Sequence, residues 1–144
     1  MSTRVYEAII SRWDSQSLGD TFTGGIWFEV APAGTDYPFV VITSLGNVPT
    51  LWTSGNEYRE QNVQMSIFYQ KTTGTDPVSA LGSLMRTLDD AMLFAPLSIA
   101  ASAGNIYDVR RMRDDLRKDP EPNIWQGIID YRIMRTKTAT YSPS

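Results

Sequence analysis

The sequence predicts an α+β fold, an antiparallel-dominated mixed sheet with two main helices packed on one face. Three observations carry this. Apolar residues recur at helical spacing in two separate segments, Val5, Ile9 and Trp13 near the start and Leu81, Leu84, Met85, Leu88 and Met92 in the middle. Apolar and polar residues alternate with a period of two around Met65 and again around Ile129, the mark of strands with one core face. The order is helix, strands, helix, then two long strands, which offers fewer crossover helices than parallel winding requires.

The first helix takes Thr3 as N-cap, has its stripe widened by Ala8 and Ile10, and is expected to end near Leu18. Gly19-Asp20 and Gly24-Gly25 then punctuate the chain before Ile26 to Val30, a short strand of aromatic and β-branched residues. Pro32, Gly34, Asp36 and Pro38 make a loop, with Pro38 at the entrance to Phe39 to Leu45, a nearly continuous run of β-formers expected at a covered or central position. From Leu45 to Glu60 the glycines and asparagines predict a loop that presents Leu51, Trp52, Tyr58 and Arg59.

Val63, Met65, Ile67 and Tyr69 then alternate with Gln64, Ser66, Phe68 and Gln70, and Phe68 interrupts the polar face as if to cover a neighbour. Thr72 to Thr75 closes that strand. Asp76-Pro77 opens the second helix, since an acidic N-cap satisfies a free N–H and proline suits the first turn. Pro96 stops it near Phe94. A small-residue loop from Ala100 to Asn105 leads into a strand at Ile106 to Val109, followed by the charged run Arg110 to Asp119. Trp125, Gly127, Ile129, Tyr131 and Ile133 alternate with Gln126, Ile128, Asp130, Arg132 and Met134 in a long closing strand, and residues 136–144 read as a flexible polar tail. One domain over residues 1–144 is expected from the length and the lack of a linker.

Composition narrows the function. The chain has no histidine and no cysteine, so thiol, imidazole and Cys-ligated zinc chemistry have no residues to work with. Sixteen acids against 13 bases give a formal net charge of -3, which argues against nucleic-acid binding driven by bulk charge. Arg110, Arg111, Arg113, Arg117 and Lys118 are nearly cancelled by Asp108, Asp114, Asp115 and Asp119, so specific nucleic-acid binding is disfavoured. Asp89-Asp90 and Asp114-Asp115 read as solvated charges with a helix-face ion pair, because adjacent acids diverge on a helix and face opposite ways on a strand. The Gly24-Gly25 and Gly74 loops match no phosphate-binding fingerprint. No catalytic residue, metal site or cofactor is expected. The start, Met1 to Arg4, has no apolar signal core, and no segment reaches the ~18 apolar residues of a membrane helix. A soluble product of the cytoplasm is expected, with no membrane partner.

Two segments have the chemistry of contact surfaces. Leu51, Trp52, Tyr58 and Arg59 belong to types enriched at interface hot spots, although Trp52 folding back over the core is an equal reading. Arg110, Arg111, Arg113, Asp114, Asp115 and Arg117 put both charge signs within ten residues. The ordinary reading of such a run is a solvated strand or hairpin arm; the functional one is a charged arm that sets register against a neighbour.

The initial helix, Ala33-Gly34-Thr35-Asp36-Tyr37-Pro38-Phe39-Val40-Val41 leading into a strand, the Gln61 to Gln70 strand, the Asp76-Pro77 helix and the terminal strands together resemble the phage tail terminator, or tail completion, proteins of long-tailed phages. The resemblance covers nearly the whole chain. It implies a structural virion protein at the head-proximal end of the tail, assembled in the host cytoplasm. It further implies a homo-oligomer, commonly a hexameric ring, that caps the tail tube protein, ends its polymerisation and meets the head connector or stopper protein. DNA would then pass through the lumen without specific binding. Another head-tail joining or adaptor protein, or a generic protein-binding α+β module, is the alternative.

Overall fold

The computed structural model describes residues 3–53, 56–93, 105–120 and 123–138. Helix α1 (Thr3–Ser15) is followed by a 3-10 turn (Leu18–Asp20), then β1 (Ile26–Phe28), β2 (Phe39–Thr53), β3 (Asn56–Gln70), α2 (Pro77–Leu93), β4 (Asn105–Lys118) and β5 (Ile124–Thr138). The strands form one mixed sheet in the order β1-β2-β3-β5-β4. Among the described residues only β1 against β2 is parallel; β2–β3, β3–β5 and β4–β5 are antiparallel. The α+β class is therefore the observed one.

Alternation along the strands decides which face is covered. Val40 and Ile42 on β2, Val63, Met65 and Ile67 on β3, and Ile129, Tyr131 and Ile133 on β5 all point the same way and are buried. Both helices cover this face, with Val5, Ala8, Ile9 and Trp13 from α1 and Leu81, Leu88, Ala91 and Met92 from α2 in one core cluster. Gly127 lets α2 come close, since a Cβ there would sit 2.8 Å from Met85 Sδ. Asp76 caps α2 as expected, its Oδ1 accepting from the Val78 N–H at 3.1 Å. At the other end Arg12 of α1 donates to the Ala91 carbonyl at 2.8 Å, satisfying a last-turn acceptor that the helix itself leaves open.

Several boundaries differ from the sequence reading. Thr3, expected as the N-cap, already lies within α1, which stops at Ser15 and not near Leu18, and β1 stops at Phe28 short of Val30, where the Glu29 backbone turns to a positive φ. The Leu45 to Glu60 segment is no loop: β2 and β3 continue through it as one hairpin, with register irregularities between Ser44 and Gly46 and between Pro49 and Leu51. Cross-strand pairing outweighs the turn-forming residues, and Gly46 and Pro49 are absorbed where the ladder is already irregular. The charged run lies within β4, in the hairpin-arm form. Strand β5 continues to Thr138, so residues 136–138, expected in the tail, are strand, and residues 139–144 lie outside the described ones together with Phe94, Pro96 and the Ala100 to Gly104 part of the small-residue loop.

Candidate assembly surface

The ten residues proposed as contacts fall into two groups that the sheet keeps apart. Leu51 and Trp52 lie on β2 opposite Tyr58 and Glu57 of β3, and Arg59 lies opposite Pro49. They share the far end of the β2–β3 hairpin, and their side chains are outside the described ones. Arg110, Arg111, Arg113, Asp114, Asp115 and Arg117 lie along β4, the edge strand. Strands β3 and β5 stand between β2 and β4, a separation of about 14 Å at the ~4.8 Å spacing of a sheet.

On β4 a bulge organises the charges. Arg111 pairs with Tyr131 and Arg113 with the next residue back, Asp130, so Met112 is the extra residue between them. In a regular strand residues two apart share one face; the bulge instead puts Arg111 and Arg113 on opposite faces. Arg111 turns to the helix side and its Nη1 donates to Asp89 Oδ2 at 2.7 Å. Arg113 turns to the other side, where its Nε lies 3.1 Å from Asp130 Oδ2, and Gln64 donates to the other oxygen of that carboxylate at 3.1 Å.

Asp89 corrects the reading of it as a solvated charge. It is buried, and Oδ1 accepts from the buried Tyr131 hydroxyl at 2.9 Å while Oδ2 takes Arg111. Burial, with the Asp89 carboxylate at its hydroxyl, pushes the Tyr131 phenol far above its ordinary value. The signal was present in the sequence, because Asp89 stands four residues after Met85 and beside Leu88, inside the apolar stripe. Asp115 differs. It is exposed, and the Arg117 guanidinium, with help from the Leu116 N–H, holds its carboxyl below the usual range.

The sheet face away from the helices is only partly polar. Phe39 and Phe68 stack across β2 and β3 with ring centroids 5.0 Å apart, so Phe68 covers a neighbour as its position suggested. Ile128 is buried on this side too, opposite Ser66 and Asp115. A groove of about 340 Å³ runs across this face from Glu29, Val30 and Ala31 after β1, over Phe39, Val41 and Thr43 of β2 and Gln64, Ser66 and Phe68 of β3, to Gln126 of β5. Glu29 closes β1 with φ at +67°, and its Oε1 accepts from the Ser44 N–H at 3.3 Å. None of the ten expected residues lies at this corner, whose construction depends on the parallel β1–β2 pairing.

The family model described as "Tail completion protein gp17" matches residues 7–136. This chain belongs to that family. It is accordingly a structural protein of a phage tail. No curated protein matches the chain. Among solved structures, a chain of the "Virion of native gene transfer agent (GTA) particle" has a similar fold, with a TM-score of 0.69 at 10% identity, covering 93% of this chain and 96% of that one.

Proposed function

We propose that this tail completion protein caps the phage tail tube, ends its polymerisation and forms the interface to the head connector or stopper protein, as a ring that is a hexamer in its leading form. The observation that carries the reading is the family match over residues 7–136. The fold's likeness to a chain of a gene transfer agent virion supports it, since that chain too works inside an assembled particle. The sheet adds a physical reason. A closed ring needs two different, complementary patches on each subunit, and this sheet ends in two dissimilar edges, the three-residue β1 and the 14-residue β4.

In this reading Leu51, Trp52, Tyr58 and Arg59 at the hairpin end, and Arg110, Arg111, Arg113, Asp114, Asp115 and Arg117 on β4, meet neighbouring subunits or the tube. DNA passes through the lumen without specific contacts, and the protein has no catalytic task. The decisive experiment polymerises the matched tail tube protein with and without this chain and scores tube length and end density by negative-stain microscopy. Length-limited tubes with a ring at one end are expected. Tubes that grow unchanged and uncapped overturn the reading and leave another head-tail joining role in its place.

A further inference from the structure

Neither α1 nor α2 covers the second face of the sheet, yet its charges are already balanced within the chain. The strand registers place Glu60, Asp130 and Asp115 on this bare face together with Arg132, Arg113 and Arg117. Each arginine holds one of the carboxylates. Arg132 pairs with Glu60, Arg113 with Asp130 at 3.1 Å, and Arg117 with Asp115 at 2.9 Å. Arg110, which faces the same way opposite Arg132, is engaged as well. The amides of Asn62, Gln64 and Gln126 stand between these pairs and carry no charge.

Apolar surface is also placed elsewhere. Among the described residues the large exposed apolar side chains lie on β1 and just after it, on α2, and at the irregularities of β2 and β4; none lies on β3 or β5. Ile128, central on the bare face, is only 4% exposed. A surface that grips another protein needs an apolar or aromatic centre, and one that grips nucleic acid needs free cations. The bare face of β3, β5 and β4 offers neither among the described residues. It suits a wall that stands beside a polyanion without holding it. Free lysines or arginines there would bind phosphate by releasing its counterions, and free carboxylates would repel it. A guanidinium already held by a carboxylate does little of either.

We propose that the bare face of β3, β5 and β4 is the wall of the ring's lumen, turned toward duplex DNA in transit, with α1 and α2 as the outer layer. The proposal rests on the ring reading and names its inner surface. The helix layer is less suited to that place. Arg86, exposed on α2, has no ion-pair partner among the described residues, and facing the bore it would take phosphate.

The chain has no cysteine, so one introduced thiol is a unique labelling site. Asn62→Cys on the bare face and Ser83→Cys on the exposed side of α2 are each assembled on tail tubes, labelled with maleimide-gold and viewed end-on by electron microscopy. Gold inside the bore for Asn62→Cys and around the outer rim for Ser83→Cys is expected. Gold at the outer rim for Asn62→Cys would overturn the assignment and leave the ring reading intact. Gln126→Cys, on the same face, takes the place of Asn62→Cys if that variant does not fold. Folded variants at both positions that fail to cap would make this face a protein contact and overturn the assignment as well. Wild-type protein that forms no ring on tubes removes the ring reading and the lumen wall with it.

Discussion

Asp89 holds a helix, a core strand and an edge strand through one carboxylate, because α2 places it above Tyr131 of β5 and Arg111 of β4. Replacing Tyr131 with Phe removes a hydrogen bond to a charged acceptor and is expected to cost about 1.5–3 kcal/mol at neutral pH, read from urea denaturation. The sign of the pH dependence follows from the raised phenol. The folded state keeps its proton more tightly than the unfolded one, so the contribution is complete below the ordinary tyrosine value of ~10 and fades as pH rises beyond it. Wild-type stability should therefore fall more steeply than that of Tyr131→Phe between about pH 9 and 12. Gly24 is a steric counterpart. A Cβ there would lie 1.8 Å from the Asp36 carbonyl oxygen, so Gly24→Ala forces the backbone of the β1–β2 connection apart and is expected to cost upward of ~3 kcal/mol by thermal melting. Gln61 is fully buried with neither amide atom hydrogen-bonded among the described residues, and Gln61→Met should raise stability by about 1–3 kcal/mol in the same assay.

At the scale of elements, β4 carries one extra residue. Deleting Met112 closes the bulge into a regular ladder in which Arg111 and Arg113 become neighbours and still take opposite faces, so both Asp89 and Asp130 keep their partners. The deletion is expected to change stability by less than ~1 kcal/mol and to leave amide exchange along β4 and β5 nearly as it was, as read by hydrogen-exchange mass spectrometry. This also explains what could be read beforehand. Strands β3 and β5 were legible from strict alternation, and α2 from its stripe and its Asp76-Pro77 start. The β2–β3 hairpin beyond Leu45 was not, because Gly46, Asn47 and Pro49 favour turns locally and only pairing with β3 makes them strand. The same limit applies to the Met112 bulge. Period-two reasoning along β4 alone assigns Arg111 and Arg113 to one face, and the partner strand decides otherwise.

For the whole molecule, a contact made through the charged β4 edge is sensitive to salt. Capping of tail tubes should weaken from low ionic strength to about 1 M, where the Debye length shrinks to about 3 Å, while the thermal stability of the free subunit changes little. Equal capping at both salts would mean that apolar contact alone holds neighbours together. The class of the fold, its element types and the lack of imidazole and thiol chemistry were determined by the sequence itself, because periodicity, capping and composition are local properties of the chain. The parallel docking of β1 beside β2, the burial of Asp89 between Tyr131 and Arg111, and the bulge that parts Arg111 from Arg113 were decided only by tertiary structure. Each depends on which distant strand lies alongside, and pairing between residues far apart in the chain leaves no period in either segment to read.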